Sequence, residues 1–248
     1  MKKIVIFTLA LLLCGSAFSQ KLKNKDTTYY PGKFVIEASV NWGYLAKIPD
    51  YYTQKSRAGL SVSVTMNFHL IKFNEYKKVK NGLSLLTGIG YQWNTFNSNT
   101  ILNKVGGIYQ FDKIQDFDDY KYSYFGLGFI EIPHFLRITT NPKEKNWFFT
   151  LDLGGKFGIL TNSSYGYQKK IDKTTTTVTT SKIDNLNIIR YGVSSKIGFN
   201  FFTNKNKPQS GGTSLIIYGD YYLTDTFKEN KGPSFNYFIV GFGLIELL

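Results

Sequence analysis

The sequence predicts an all-β fold, an eight-stranded antiparallel transmembrane β-barrel of the outer-membrane type with a narrow, plugged lumen. Three observations lead to this fold class. Segments throughout the chain alternate with a period of two; one face of each segment is apolar, whereas the other mixes glycine with charges of both signs; and aromatic residues gather at segment ends. These faces suit lipid outside the barrel and a packed polar lumen inside it.

Eight segments show this alternation, and the connections between them are alternately short turns and longer loops. Because antiparallel neighbours reverse direction, both chain ends lie with the short turns, as in outer-membrane barrels. The predicted strands span residues 34–44, 59–70, 83–94, 126–138, 147–160, 189–201, 215–223 and 235–248. We expect residues 95–121 to form a long loop. The threonine run at 174–180 either extends a hairpin beyond the membrane or is disordered.

The first three strands show the pattern most regularly. Their outward residues are apolar and their inward residues are small or polar: Ile36, Val40 and Trp42 against Glu37, Ser39 and Asn41, then Val62, Val64 and Met66 against Ser63, Thr65 and Asn67, then Leu85, Ile89 and Tyr91 against Ser84, Gly90 and Gln92. This regularity predicts strands with one buried face.

The remaining strands follow the same rule. In the central hairpin and the strands after it, apolar and polar residues again separate by parity: Phe149, Leu151 and Leu153 against Thr150, Asp152 and Lys156, then Tyr191, Val193 and Ile197 against Arg190, Ser194 and Lys196, and finally Phe238, Val240 and Phe242 against Gly241 and Gly243. The seventh strand is less regular, because Tyr218 and Tyr222 share a face with Asp220.

The chain start has the organisation of a secretory signal peptide. Lys2 and Lys3 precede an apolar run and small residues, which predicts a signal peptide at 1–19. A polar lead at 20–32 and one barrel domain at 33–248 follow. The apolar run is shorter than the roughly 20 residues of a spanning helix.

Cys14 is the only cysteine of the chain and lies inside the predicted signal peptide. Its removal leaves a mature chain with neither disulfides nor thiolate chemistry. A lipoprotein modified at Cys14 is the less favoured alternative.

The formal charge is +13, and it becomes +11 once Lys2 and Lys3 are removed. The basic residues spread over turns, and an exported chain seldom meets nucleic acid, so we exclude nucleic acid as a partner. One turn is especially basic and faces the periplasm by the barrel rule: Lys72, Lys77, Lys78 and Lys80. We expect it to contact anionic lipid headgroups or an acidic periplasmic protein, unless it is simply a solvated turn.

Eight ionisable residues occupy the inward parity, four of each sign: Glu37, Glu131, Asp152 and Asp220 against Arg137, Lys156, Arg190 and Lys196. The interior of an eight-stranded barrel is just wide enough for side chains to fill it. Since unpaired buried charges are costly, we expect the eight to pair across the lumen and plug it.

Aromatic residues at the strand ends predict girdles at the two membrane interfaces. The girdle candidates are Trp42, Tyr44, Tyr91, Trp93, Trp147 and Tyr221. A secreted soluble ligand-binding β-barrel is the rival interpretation, but it would keep its apolar residues inside.

No catalytic, metal-binding or cofactor-binding pattern is found in the sequence, and we expect neither an enzyme nor a cofactor. His69 and His134 are the only histidines, and both are predicted near the turn end, away from the outer rim where a barrel lipid hydrolase would act. We interpret Gly126 and Gly128 as lumen glycines, not as part of a nucleotide-binding loop.

The run from Ile130 to Arg137, followed by a turn and a glycine-bearing strand, resembles the hallmark of the PorT-like outer-membrane β-barrel family. Glu131, Ile132, Pro133 and Arg137 match the family pattern, whereas His134 replaces an apolar residue. The resemblance implies an outer-membrane barrel, and the family's namesake serves type IX protein secretion. Because proline donates no ladder hydrogen bond, we expect Pro133 at a bulge or at the periplasmic end of its strand.

These observations predict a non-catalytic protein of the bacterial outer membrane. We expect a scaffold or an accessory of a secretion or surface complex, with lipid and a periplasmic or membrane protein as partners. A barrel that transports a small solute or ligand is the alternative. The sequence does not determine the oligomeric state.

Overall fold

The computed structural model describes residues 34–46, 60–72, 82–98, 100–113, 120–140, 147–171, 174–202 and 212–247. Within these ranges the chain forms eleven strands: β1 Phe34–Ala46, β2 Leu60–Lys72, β3 Gly82–Ser98, β4 Thr100–Val105, β5 Ile108–Lys113, β6 Tyr120–Thr139, β7 Trp147–Ile171, β8 Thr174–Ser181, β9 Ile189–Phe202, β10 Gly212–Tyr222 and β11 Asn236–Leu247. None of the described segments forms a helix long and apolar enough to cross a membrane.

Eight of these strands close into one antiparallel barrel, which confirms the predicted fold. Their order is β1, β2, β3, β6, β7, β9, β10 and β11, and pairings of β6 with β7 and of β1 with β11 complete the ring. Closure satisfies the backbone hydrogen bonds that an open sheet would leave unpaired in lipid.

The barrel wall has an apolar outside and a largely polar inside. On β9, Val193 and Ile197 are 54% and 60% exposed, whereas Ser194 and Lys196 between them are 5% and 3% exposed. The same alternation covers the outer face of β10 and β11, where Ile217 is 66% exposed. This arrangement excludes the soluble barrel, which would need the opposite placement.

The loop end, meaning the end of the barrel away from the short turns, carries more strand than predicted. Residues 95–121 are not one loop: β3 continues to Ser98, and β4 and β5 form a hairpin. Gly106 and Gly107 supply positive φ angles of 59° and 84° at its turn, the conformation that a tight hairpin requires. The segment is rich in Asn and Asp, which are typical of loops, so its composition did not predict this hairpin.

The threonine run also forms a strand. Strand β8 pairs with β7 from Ile171 opposite Thr174 to Ser164 opposite Ser181. Of the two predicted alternatives, extension of the hairpin is therefore the one found.

Pro133 lies at neither of its predicted positions. It is six residues before the end of β6, and the pairing of β6 with β3 keeps the same register on both sides of it. The ladder to β3 is interrupted opposite Gly88 and Ile89, whereas the ladder to β7 runs through Pro133 unbroken. The hydroxyl of Thr87 donates to the Pro133 carbonyl over 3.0 Å and replaces part of the lost pairing.

The prediction that glycines face the lumen is correct for one strand and wrong for another. Gly241 and Gly243 face the lumen, and a Cβ at Gly241 would lie 2.4 Å from the buried Tyr218 ring. Gly126 and Gly128 instead lie on the outer face, beneath Trp93 and Tyr91. Counting the alternation of β6 from the inward Glu131 places both glycines outside, so the sequence contained this signal.

Several predictions concern residues outside the described ranges. These are the signal peptide at 1–19 with Cys14, the polar lead at 20–32, and Lys77, Lys78 and Lys80. Lys72 ends β2, but its side chain is likewise not described.

Candidate functional site: a plugged lumen beneath an aromatic cap

The structure places all eight predicted lumen charges inside the barrel, each at most 7% exposed. Every one of them has an oppositely charged partner. Nearest the turn end, Arg137 holds Asp152 in a bidentate pair with two N–O distances of 2.7 Å. These residues face each other directly in the β6–β7 register, which explains the geometry.

Two lysines make the pairs in the middle of the lumen. Lys196 Nζ lies 2.6 Å from Glu37 Oε2, and Lys156 Nζ lies 2.5 Å from Asp220 Oδ2. Lys156 also lies 3.6 Å from Glu131 Oε2, and the Ser194 hydroxyl donates to Asp220. Two carboxylates therefore share one ammonium group, which links the middle of the lumen to its upper part.

Arg190 and Glu131 form the uppermost ion pair. In the sheet register Gly158 lies between them, opposite Glu131 on one side and Arg190 on the other. A Cβ at Gly158 would be 2.9 Å from both Cγ and Nε of Arg190. The missing side chain thus lets Arg190 cross an intervening strand and donate to Glu131.

Aromatic rings enclose this ion pair. The Arg190 guanidinium carbon lies 3.5 Å from the centre of the Phe129 ring and 3.9 Å from that of Tyr222. The Tyr222 hydroxyl lies 2.7 Å from Glu131 Oε1 and 2.8 Å from Gln92 Oε1, and its single proton is shared between these two acceptors. Ring stacking and hydrogen bonds together compensate the desolvation of a buried guanidinium.

An apolar cap that the sequence analysis missed closes the loop end. Buried residues of the barrel strands, the β4–β5 hairpin and the loop-end segments meet there: Phe96, Leu102, Phe111, Phe125, Ile183, Leu186, Phe227 and Phe235. Phe96 has the same parity as the inward Asn94 on β3, and Phe125 has the same parity as the inward Glu131 on β6. The sequence therefore contained a signal for the cap. The plug is therefore ionic below and apolar above.

Polar contacts fasten the β4–β5 hairpin over the cap. The Lys104 ammonium lies 2.5 Å from Asp184 Oδ2, and the Tyr109 hydroxyl donates to the same carboxylate. The Tyr109 amide donates to the Lys231 carbonyl over 2.9 Å. Hydrogen bonds from Lys104 and Tyr109 hold the pKa of Asp184 below its usual value, whereas desolvation and Asp184 raise the pKa of Tyr109 to about 12.

One side of the lumen carries amides that the protein leaves without partners. Asn41 and Asn94 are fully buried, and neither polar atom of either side chain has a hydrogen-bond partner among the described residues. Both face inward, Asn41 on β1 and Asn94 on β3. Gln92 Nε2 and Arg190 Nε are likewise unpartnered. Such groups favour a wet lumen or a polar occupant.

The girdle candidates lie on the outer wall. Tyr44, Tyr91 and Trp147 are exposed, while Trp42, Trp93 and Tyr221 are partly covered by neighbours. Tyr44 stacks on Phe238 with ring centres 4.9 Å apart, and Trp147 meets Phe149 edge to face at 5.4 Å.

Only one of the two histidines has a described side chain. The side chain of His69 is not described. His134 is exposed on the outer wall, and its Nδ1 lies 3.0 Å from the hydroxyl of Thr87 on the neighbouring strand. Across the described part of the chain, no three His, Cys, Asp or Glu side chains group in a way that could hold a metal ion.

Comparison with known proteins gives one family and several distant structures. The family described as an outer membrane protein beta-barrel domain matches residues 18–228. The outer membrane protease OmpT from Escherichia coli is 8% identical, with 91% of this chain and 99% of that chain covered and a TM-score of 0.43. No curated protein matches the sequence at a significant level.

Two structures of Ail, the attachment invasion locus protein of Yersinia pestis, are also similar. The first is 7% identical, covers 88% of this chain and 99% of that chain, and has a TM-score of 0.32. The second, in complex with the heparin analogue sucrose octasulfate, is 8% identical with the same coverage and a TM-score of 0.34.

Replacing Arg190 with methionine should lower the free energy of unfolding by about 3–5 kcal/mol, because Glu131 then loses a buried counter-ion. The double variant Arg190→Met/Glu131→Gln should recover part of this loss, since no uncompensated carboxylate remains. Urea unfolding of the protein in lipid vesicles measures both effects. If the losses of Arg190→Met and of Glu131→Gln, each measured alone, simply add in the double variant, the two residues are not coupled as described.

The hairpin should loosen in acid. The pKa of Asp184 is lowered by its partners in the folded protein, so its contribution is complete at neutral pH and is lost as the pH falls below the ordinary Asp value of about 3.9. The protection factor of the Tyr109 amide, taken against the intrinsic exchange rate at each pH, should therefore fall in acid. In Asp184→Asn the Tyr109 amide should be poorly protected at neutral pH too. In the control Glu229→Gln its protection should equal that of the wild type.

Proposed function

Because the chain belongs to the outer membrane protein beta-barrel domain family and lies in the bacterial outer membrane, we propose that it is a non-catalytic scaffold that acts through the surfaces at its two ends. The observation that carries this proposal is the filled lumen. Four sets of buried ion pairs lie beneath an apolar cap, and this packing of the described side chains across the lumen argues against a path of pore size.

The chemistry of the described side chains supports a non-catalytic role. His134 faces the outer wall and contacts Thr87, with no carboxylate in the pair. The buried carboxylates of the lumen are each paired with a cation and lie away from the accessible surface. The part of the loop end that the structure describes contains no histidine that could act as a base where a substrate would arrive.

We further propose that the scaffold is an accessory of a secretion or surface complex. The resemblance of the run from Ile130 to Arg137 to PorT-like proteins supports this role and makes type IX secretion the first process to test. In this proposal the basic turn that contains Lys77, Lys78 and Lys80 binds an acidic periplasmic protein.

Charge reversal tests the basic turn. Lys77→Glu, Lys78→Glu and Lys80→Glu together should abolish a cross-link between the barrel and a periplasmic protein in intact cells. The matched control is Lys205→Glu with Lys207→Glu, which changes the charge of a different short turn. Equal cross-linking by both variants, or cross-links to lipid alone, would contradict an acidic protein partner at this turn.

A ligand-transporting barrel is the second candidate. The unpartnered amides of Asn41 and Asn94 favour it, because each buried unsatisfied polar group costs about 1–3 kcal/mol and a polar solute would satisfy several at once. The apolar cap above them favours the scaffold.

Conductance separates the two candidates. The purified barrel, verified by heat-modifiable migration, should give no stable open-channel current in planar bilayers, because the cap and the ion pairs fill the lumen. Phe125→Ser with Phe235→Ser, which opens the cap, should also give no stable current, because the ion pairs beneath the cap still fill the lumen. A steady open channel in the wild type would refute the plug and favour transport.

A further inference from the structure

Strand β8 is an unpaired sheet edge. Its eight residues pair with β7 on one side, and within the described part of the chain no strand lies on its other side. The backbone N–H and C=O groups that point away from β7 are therefore free to pair with another strand.

This edge lacks the usual protection against pairing. Proteins commonly guard an edge with proline, lysine or a bulge. Strand β8 reads Thr-Thr-Thr-Thr-Val-Thr-Thr-Ser, with no charge and no proline, and its pairing with β7 shows no register shift. Residues 175–181 are all exposed. Their β-branched side chains favour the extended conformation.

The strand is held in place before any partner arrives. The Tyr124 hydroxyl lies 3.1 Å from Thr179 Oγ1, and Gln168 Nε2 donates to Thr177 Oγ1 over 3.3 Å. Because its conformation is fixed by β7 and by these contacts, binding to its edge would cost little ordering entropy.

The position of β8 makes the edge reachable from outside the membrane. A transmembrane strand needs roughly 9–11 residues, whereas β7 has 25. Strand β8 pairs with the last eight residues of β7, Ser164–Ile171, beyond the irregularity at Gly128 and Phe129 in the β6–β7 pairing. It therefore extends past the wall at the loop end, which is the cell-surface end of an outer-membrane barrel.

We propose that the free edge of β8 binds an extended, acidic segment of a partner protein by strand addition. The proposal rests on the scaffold function and names where and how a surface partner attaches. Main-chain hydrogen bonds to β8 supply the affinity, and the flanking charges supply the selectivity.

Charge decides against a second copy of this chain as the occupant. Lys173 directly precedes β8 in the sequence and the exposed Lys182 directly follows it. In an antiparallel pair of two β8 strands, Thr174 of one copy lies opposite Ser181 of the other, so the lysines that flank the strands come together at both ends, and like charges brought together are destabilising. Acidic residues at both ends of a bound strand would instead be complementary.

The test uses the full-length protein in detergent micelles and a fluorescein-labelled peptide of alternating valine and threonine flanked by glutamates. Fluorescence anisotropy should detect its binding. A lysine-flanked peptide and a proline-interrupted peptide should bind at least about tenfold more weakly. Lys173→Glu with Lys182→Glu should reverse the preference between the acidic and basic peptides, whereas the control Lys228→Glu should not.

Proline pairs locate the binding to the edge. Successive N–H groups point to opposite edges, so only one of the pairs Thr175→Pro/Thr177→Pro and Thr176→Pro/Val178→Pro removes donors from the free edge. The pair that preserves slow hydrogen exchange in the β7–β8 ladder should lose peptide binding by about tenfold or more.

Wild-type binding by that pair, or equal affinity for all three peptides, would overturn the proposal. Dimers in sedimentation that the same pair abolishes would also overturn it and assign the edge to a second copy. None of these results bears on conductance or on the basic turn, so failure here is distinguishable from failure of the scaffold function.

Discussion

The structure depends on the need to bury eight charges inside a narrow barrel, away from bulk water. Ions in such an interior are tolerated only when each has a partner at close range and further hydrogen bonds. Here the four pairs run from Arg137 and Asp152 at the turn end to Arg190 and Glu131 beneath the cap. Pairing across the lumen ties strands that are not neighbours in the sheet, such as β1 to β9 through Glu37 and Lys196.

This constraint divides the lumen into two walls. The charges come mainly from β6, β7, β9 and β10, whereas the facing wall of β1, β2 and β3 offers hydroxyls and amides. Ser39 joins the walls, because its hydroxyl lies 2.5 Å from that of Ser63 and 2.8 Å from that of Tyr218. A wall of neutral polar groups accepts the ends of long charged side chains without adding charge, so the lumen stays neutral.

The apolar cap has a different origin from the ion pairs beneath it. Strands β3, β6 and β7 continue beyond the membrane, and their inward face must be covered by something other than lipid. Phe111 of the β4–β5 hairpin meets Phe235 with ring centres 5.7 Å apart, and Leu102 belongs to the same buried cluster, so the hairpin supplies that cover. The Asp184 contacts then hold the hairpin at its rim. The cap seals the end that faces outward, and β8 extends beside it, so the surface presented to a partner is rigid.

The sequence by itself determined the strand alternation, the closed eight-stranded barrel and the inward position of the lumen charges, because a period of two is a local property that each strand shows without its neighbours. Only the tertiary structure decided which charges pair. Arg190 reaches Glu131 because register places Gly158 between them, and register depends on strands far apart in the chain. The position of Pro133 inside β6 and the cap built on the β4–β5 hairpin also follow from tertiary packing. In both cases the local composition indicates a break or a loop, and it is the contacts with neighbouring strands that outweigh it.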